Sequence, residues 1–183
     1  MEYINILSID PGTNMGVSIY TVSVPDLKIL SIVTTVLNLS NHTTEDPFYD
    51  NLLLRTQVIQ RYIGNLTIEY MPHVLAMEAA FVNSKFPKSV MYLSHYIAAI
   101  NLSVTSINPF IKIFNYPPKL VKKLISNTGN ADKDAMKVAV AMIPEITNHL
   151  DVNYLSEHEI DSLAIGYACI EELRNNPVLL LML

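Results

Sequence analysis

The sequence predicts an α/β fold, a five-stranded mixed sheet flanked by helices on both faces. Three observations carry this. Apolar, β-branched runs fill residues 3–10, 16–22 and 28–37, close enough in sequence to form a meander. From about residue 47 onward, helical periodicity alternates with short strand-like runs. Half of the 183 residues are apolar, which suffices for one substantial core. A meander followed by strand–helix alternation mixes antiparallel and parallel neighbours, and the crossing helices cover both faces of the sheet.

The first strand is Tyr-Ile-Asn-Ile-Leu-Ser-Ile-Asp, residues 3–10, and Pro11-Gly12-Thr13-Asn14 turns the chain into the second. Residues 39–46 are polar and loop-like. Leu52, Thr56, Ile59, Ile63, Leu66 and Tyr70 then recur at steps of four and three, a helical stripe from about 47 to 70. His73 to Met77 is a short strand ending at Glu78, residues 87–105 form a long apolar helix, and Ile111 to Phe114 is the fifth strand. Two short helices, about 117–126 and 131–143, are divided by Asn127-Thr128-Gly129-Asn130. Ser156 and Glu159 have capping-box spacing, so the last helix begins at Glu157. The domain is expected to occupy residues 1–176, followed by an apolar tail, 177–183.

Composition narrows the function classes. No apolar run reaches the about 18 residues of a membrane span, and no basic run precedes an apolar segment at the N-terminus, so a signal peptide is not expected. The single cysteine, Cys169, lies in an apolar stretch and excludes an internal disulfide, which suits a reducing, intracellular setting in a cytoplasm. The net charge of −5 argues against simple nucleic-acid binding, but the charge is unevenly spread. Residues 85–137 hold Lys85, Lys88, Lys112, Lys119, Lys122, Lys123, Lys133 and Lys137 against Asp132 and Asp134, a balance of +6 that leaves −11 elsewhere. This segment is either a phosphate-binding face or a set of solvated helix surfaces.

Four pieces carry candidate chemistry. Asp10 ends the first strand; it is a metal ligand or an Asx-turn residue, with Gly12 and Gly16 leaving room for a backbone or phosphate. Glu78 ends a buried strand, where a carboxylate needs a partner, a metal or solvent. Lys122 and Lys133 flank the Gly129-Asn130 turn. His158 and Asp161 share one face of the last helix near its N-terminus, where an anion is favoured. His158 is a metal ligand, a proton-transfer group or a capped surface histidine. Three acidic residues from two strand ends and a helix are what two hard cations require.

In their order these pieces resemble the RuvC-type Holliday-junction resolvases of the RNase H-like superfamily. The resemblance spans roughly residues 4–170 and rests on ILSIDPGTNMG, LAMEAAF, YPPKLVKKLISNTGNADK and HEIDSLAIGYA. The first and last are shared with other RNase H-like proteins; the third, with its two lysines eleven apart, is more specific. Compact members of this kind resemble those encoded by bacteriophages. The resemblance implies that Asp10, Glu78, His158 and Asp161 hold two Mg²⁺ ions, which Mn²⁺ can replace. It gives Lys122 and Lys133 the scissile-strand backbone and Phe81 the stacking role at a crossover, against ordinary core packing for Phe81. The basic segment adds Lys119, Lys123 and Lys137 as expected DNA contacts. The expected reaction is paired, symmetric nicking of four-way and other branched DNA by a homodimer. The acidic net charge and the apolar tail depart from the pattern. Two other readings stay open: a catalytically silent junction-binding module, and a fragment of an actin- or sugar-kinase-like ATPase.

Overall fold

In a computed structural model, residues 2–45, 50–79 and 87–183 are described, with side chains from residue 89 in the last of these. Among them five strands make one sheet: β1 (Tyr3–Asp10), β2 (Asn14–Ser23), β3 (Ile29–Asn38), β4 (Val74–Glu78) and β5 (Lys112–Tyr116). Their order is β3-β2-β1-β4-β5. The meander pairs antiparallel, whereas β4 runs parallel to both β1 and β5. Helices α1 (Asn51–Tyr70) and α2 (Pro87–Thr105) precede and follow β4. After β5 come α3 (Pro118–Ser126), α4 (Lys133–Ala141), the short α5 (Pro144–Thr147), α6 (Glu157–Asn175) and the short α7 (Pro177–Leu180).

The central strands are buried on both sides, and their side chains alternate between two cores. Ile4 and Ile6 of β1, with Val74 and Ala76 of β4, join the core beneath α3, α4 and α6. Leu7 and Ile9, with Leu75 and Met77, join the core beneath α1 and α2. Each face of the mixed sheet therefore carries helices, as the alternation of elements predicts.

The predicted elements are all present, with ends adjusted by local chemistry. Helix α1 starts at Asn51 because the Asp50 side chain accepts from the Leu52 amide. Helix α4 starts at Lys133, two residues later than expected, because Asp132 caps it by accepting from Ala135 N at 2.9 Å. The turn between α3 and α4 reverses at Asn127, which takes the left-handed conformation with φ 61°. Gly129 serves another purpose there: a Cβ would stand 3.3 Å from the Lys119 carbonyl. The short helices α5 and α7 and a 3-10 turn at Val152–Tyr154 are additions to the expected order. Among the described residues no helix is long and apolar enough to cross a membrane.

Helix α6 positions the site. Its capping box forms as the sequence predicts, with Ser156 accepting from Glu159 N and Glu159 accepting from Ser156 N. Its inner face bears Ile160, Leu163, Ala164, Ile165, Ala168 and Cys169, all buried. Two glycines let it press onto the strands. A Cβ on Gly16 of β2 would lie 1.8 Å from the His158 carbonyl oxygen, and one on Gly166 would lie 2.3 Å from the Tyr20 ring. The space at Gly16 is thus taken by the chain's own backbone. Tyr20 also donates to the Leu163 carbonyl at 2.8 Å, and Ser18 and Ser162 hydroxyls meet at 2.6 Å. Of the apolar tail, Leu179, Leu180 and Leu183 pack on the α6 core, while Val178, Leu181 and Met182 are exposed.

Candidate active site

The two strand-borne carboxylates are placed by register and parity. Parallel pairing sets Ser8 beside Ala76 and Ile9 beside Met77. One step further, Asp10 and Glu78 end neighbouring strands. Both are even-numbered positions, in phase with Ile4, Ile6, Val74 and Ala76, so both side chains face α6. They stand at the carboxyl edge of the sheet, where α/β proteins collect their ligands.

The first turn of α6 supplies the rest. His158 Nδ1 lies 3.5 Å from Asp10 Oδ2 and His158 Nε2 lies 3.5 Å from Glu157 Oε1. Asp161, one turn on, lines a cleft of about 260 Å³ together with Asp10, Glu78, Lys122, Asp132 and Lys133. Lys122 donates to the Ala131 carbonyl at 2.7 Å, which ties α3 to the start of α4. Lys133 pairs with Glu157 at 2.5 Å and is largely exposed. The structure therefore brings together Asp10, Glu78, His158, Asp161, Lys122 and Lys133, six residues spread over most of the chain.

The other expected contacts fall differently. Lys119 and Lys123 are exposed on α3. Lys137, one turn along α4 from Lys133, donates to the carbonyls of Asn153 and Leu155 at 3.0 and 3.2 Å. Phe81 lies outside the described residues, as do Lys85 and the side chain of Lys88. Two residues at or beside the cleft carry no signal as site residues in sequence. Glu157 reads as a first-turn acid of a helix, and only the tertiary structure sets it against Lys133. Asp132 reads as a helix cap, which it is, but it also edges the cleft.

Electrostatics sets this cleft apart. Burial, then the Asp161 charge, raises Asp10 to about 6 in spite of His158 and Lys133 nearby. Burial, then the charges of Asp10 and Asp161, raises Glu78 to about 7. Burial raises Asp161 as well. Lys133 is held protonated more firmly than usual, first by its hydrogen bond to Glu157. Half-buried carboxylates that repel one another hold excess negative charge, which a bound cation would neutralise. Among the described residues no three His, Cys, Asp or Glu side chains close into a ligand cage. The donor set is nonetheless the right kind for a hard ion that keeps several waters: carboxylate oxygens on an open cleft, one imidazole, and no thiolate.

Comparisons with known proteins agree with this architecture. The family model described as Crossover junction endodeoxyribonuclease RuvC matches residues 6–170. The crossover junction endodeoxyribonuclease RuvC of Cytophaga hutchinsonii is 30% identical over 150 residues, covering 80% of this chain and 69% of that protein. Its counterpart from Ehrlichia canis is 26% identical over 174 residues, covering 94% of this chain and 99% of that one. Among solved structures, Thermus thermophilus RuvC in complex with a Holliday junction substrate superposes with a TM-score of 0.72, over 94% of this chain and 96% of that one, at 19% identity.

Proposed function

This chain belongs to the RuvC family of crossover junction endodeoxyribonucleases, and from that premise we propose that it resolves four-way DNA junctions by metal-dependent hydrolysis at the Asp10–Glu78–Asp161 cleft. The observation that carries the site assignment is the register of β1 on β4. It sets two carboxylates side by side on the face that receives Asp161 and His158 from α6.

In this reading Asp10, Glu78, Asp161 and His158 hold two Mg²⁺ ions, with Mn²⁺ an acceptable substitute. Bound there, hard divalent ions supply activation of a water and stabilisation of the leaving 3′-oxygen in an in-line displacement. The chain's own residues do the rest. Asp10, between His158 and Asp161, is the central anion of the cleft. His158 steadies Asp10 through its Nδ1. Lys122 and Lys133 line the wall opposite the sheet edge and meet the charge of the scissile phosphate. Lys133 must leave Glu157 to do so. Lys119, Lys123 and Lys137 extend the positive face along α3 and α4, and Phe81 supplies a stacking face at the crossover. A four-way junction needs two nicks related by symmetry, which a two-fold homodimer provides.

The deciding experiment is incubation of purified protein with an end-labelled four-way junction, with and without Mg²⁺. Paired nicks at symmetric positions, requiring the metal and leaving 5′-phosphate and 3′-hydroxyl ends, are expected. Binding without cleavage in any divalent ion would make the chain a silent junction-binding module. Turnover of ATP in place of nicking would point to a kinase-like fragment.

A further inference from the structure

Glu157 stands outside the ligand set, yet it touches two residues of the site. Its Oε2 meets Lys133 Nζ at 2.5 Å, and its Oε1 lies 3.5 Å from His158 Nε2. The other nitrogen of the same imidazole, Nδ1, faces Asp10 Oδ2, also at 3.5 Å. One carboxylate therefore stands between the lysine assigned to the scissile phosphate and the histidine that steadies Asp10.

The two contacts of Glu157 are unequal. The one to Lys133 is short and charge-assisted, whereas the one to His158 is longer than a normal N–H···O bond. In the DNA-free protein Glu157 is engaged with Lys133, and His158 is held loosely at both of its nitrogens. The backbone beneath is fixed: the capping box ties Ser156 to Glu159, and the His158 carbonyl rests on Gly16. A change of partner is thus a change of side-chain rotamer only. The side chains of Lys133 and Glu157 are 68% and 44% exposed. An ion pair so exposed is weak, and a phosphate arriving at the lysine can displace it.

We propose that Glu157 is a positioning residue that interlocks strand binding with metal binding: it holds Lys133 in the free protein and passes to His158 when a DNA phosphate takes the lysine. Released from Lys133, the carboxylate accepts a full hydrogen bond from Nε2–H. That bond fixes the tautomer and keeps Nδ1 turned to the cleft. A carboxylate placed behind a histidine ligand in this way orients the ring and raises its basicity. The inference rests on the nuclease reading above. Its consequence is that the junction and Mg²⁺ each tighten the binding of the other, so the site is completed on DNA and stays loose without it.

The test has two readouts, neither of which is nicking. The first is Mg²⁺ affinity of the DNA-free protein, measured by titration calorimetry. Lys133→Ala releases Glu157 without DNA, so it should bind Mg²⁺ about threefold more tightly than wild type. That gain should vanish when Lys133→Ala is combined with Glu157→Gln or with His158→Ala. Simple loss of a positive charge near the cleft would keep the gain in both combinations. The second readout is junction affinity in EDTA. Glu157→Gln should bind about threefold more tightly than wild type, since Lys133 no longer has a partner to leave, and Lys133→Ala should abolish this difference. Melting temperatures in EDTA verify that each variant is folded. No gain in Lys133→Ala, or an equal gain in either combination, would overturn the interlock even where wild type nicks the junction normally. If wild type bound neither Mg²⁺ nor the junction, the nuclease reading would fall and the interlock with it.

Discussion

At the scale of single residues, the central feature is three carboxylates that hold protons more tightly than free ones do. Asp10→Asn, Glu78→Gln and Asp161→Asn each remove an anionic oxygen and keep the side chain's size. Each is expected to lower nicking in Mg²⁺ by more than about a hundredfold while leaving junction affinity close to wild type, because the proposed site assigns the phosphates to lysines. Gel analysis of a labelled junction checks both, and wild-type nicking by Asp10→Asn would remove that residue from the site. His158 is a milder case. A carboxylate is an acceptable hard ligand, so His158→Asp should keep substantial activity where His158→Ala loses most of it. Equal rates in all three proteins would take His158 out of the chemistry.

The same carboxylates make the metal-free protein sensitive to pH. Asp10 and Glu78 titrate at about 6 and about 7 when folded, whereas an unfolded chain releases these protons at about 4. Between those values the folded state binds more protons, so stability is full below about pH 4 and falls as pH rises through 7. Each group is raised by about two pH units at about 1.4 kcal/mol per unit, so the loss is several kcal/mol, or about 10 °C or more in melting temperature for a domain of this size. Melting in EDTA from pH 4 to 8 should show this decline. Glu78→Gln should flatten it, and Mg²⁺ should restore more stability at pH 8 than at pH 5. A Glu78→Gln curve parallel to wild type would mean that Glu78 is not destabilised by its surroundings.

At the scale of elements, the site depends on how closely α6 approaches β2. The parity of β1 and β4 could be read from their alternating apolar residues, and the start of α6 from Ser156 and Glu159. The approach itself could not, because Gly16 looks in sequence like one more turn residue after Pro11-Gly12. Its role appears only with the His158 carbonyl above it, where a Cβ would stand at 1.8 Å. Gly16→Ala must push the first turn of α6 outward, at a cost of about 1–3 kcal/mol. Because that turn carries His158 and Asp161, nicking should fall by more than the lost stability explains. Gly12→Ala, whose Cβ would meet only the Asn14 oxygen at 3.5 Å, is the control. Comparison of melting temperature and nicking rate for the two variants checks this; equal behaviour would show that α6 is not held by that contact.

At the scale of the whole molecule, the question is how an acidic protein holds DNA. The net charge of −5 conceals a lysine-rich segment whose last part forms α3 and the start of α4, and two of its lysines reach the cleft. Each phosphate contact contributes about −0.9 to the slope of log affinity against log salt on duplex arms. Lys122→Ala and Lys133→Ala should each flatten that slope by up to about one unit on any sequence. Lys28→Ala, before β3 and away from the segment, should not. Lys122→Ala should also lower the melting temperature, since its ammonium bonds the Ala131 carbonyl; Lys133, paired at the surface with Glu157, should not. Affinity at several salt concentrations for the three variants is the measurement, and equal flattening by Lys28→Ala would place the DNA elsewhere.

The sequence by itself determined what is local. Strand parity, helix stripes and the capping box depend on neighbours a few residues apart, and their periods are visible in a line of letters. The order of the motifs was visible too, and with it the family and the candidate ligands. What only the tertiary structure decided are contacts between distant segments. The pairing of Lys133 with Glu157 and the seat of His158 on Gly16 both depend on segments that meet only after packing. The raised Asp10 and Glu78 belong with them, since a carboxylate's proton affinity is set by burial and by charges brought near in space. No period or spacing along a chain encodes such distances, because they arise from how closely separate elements can approach.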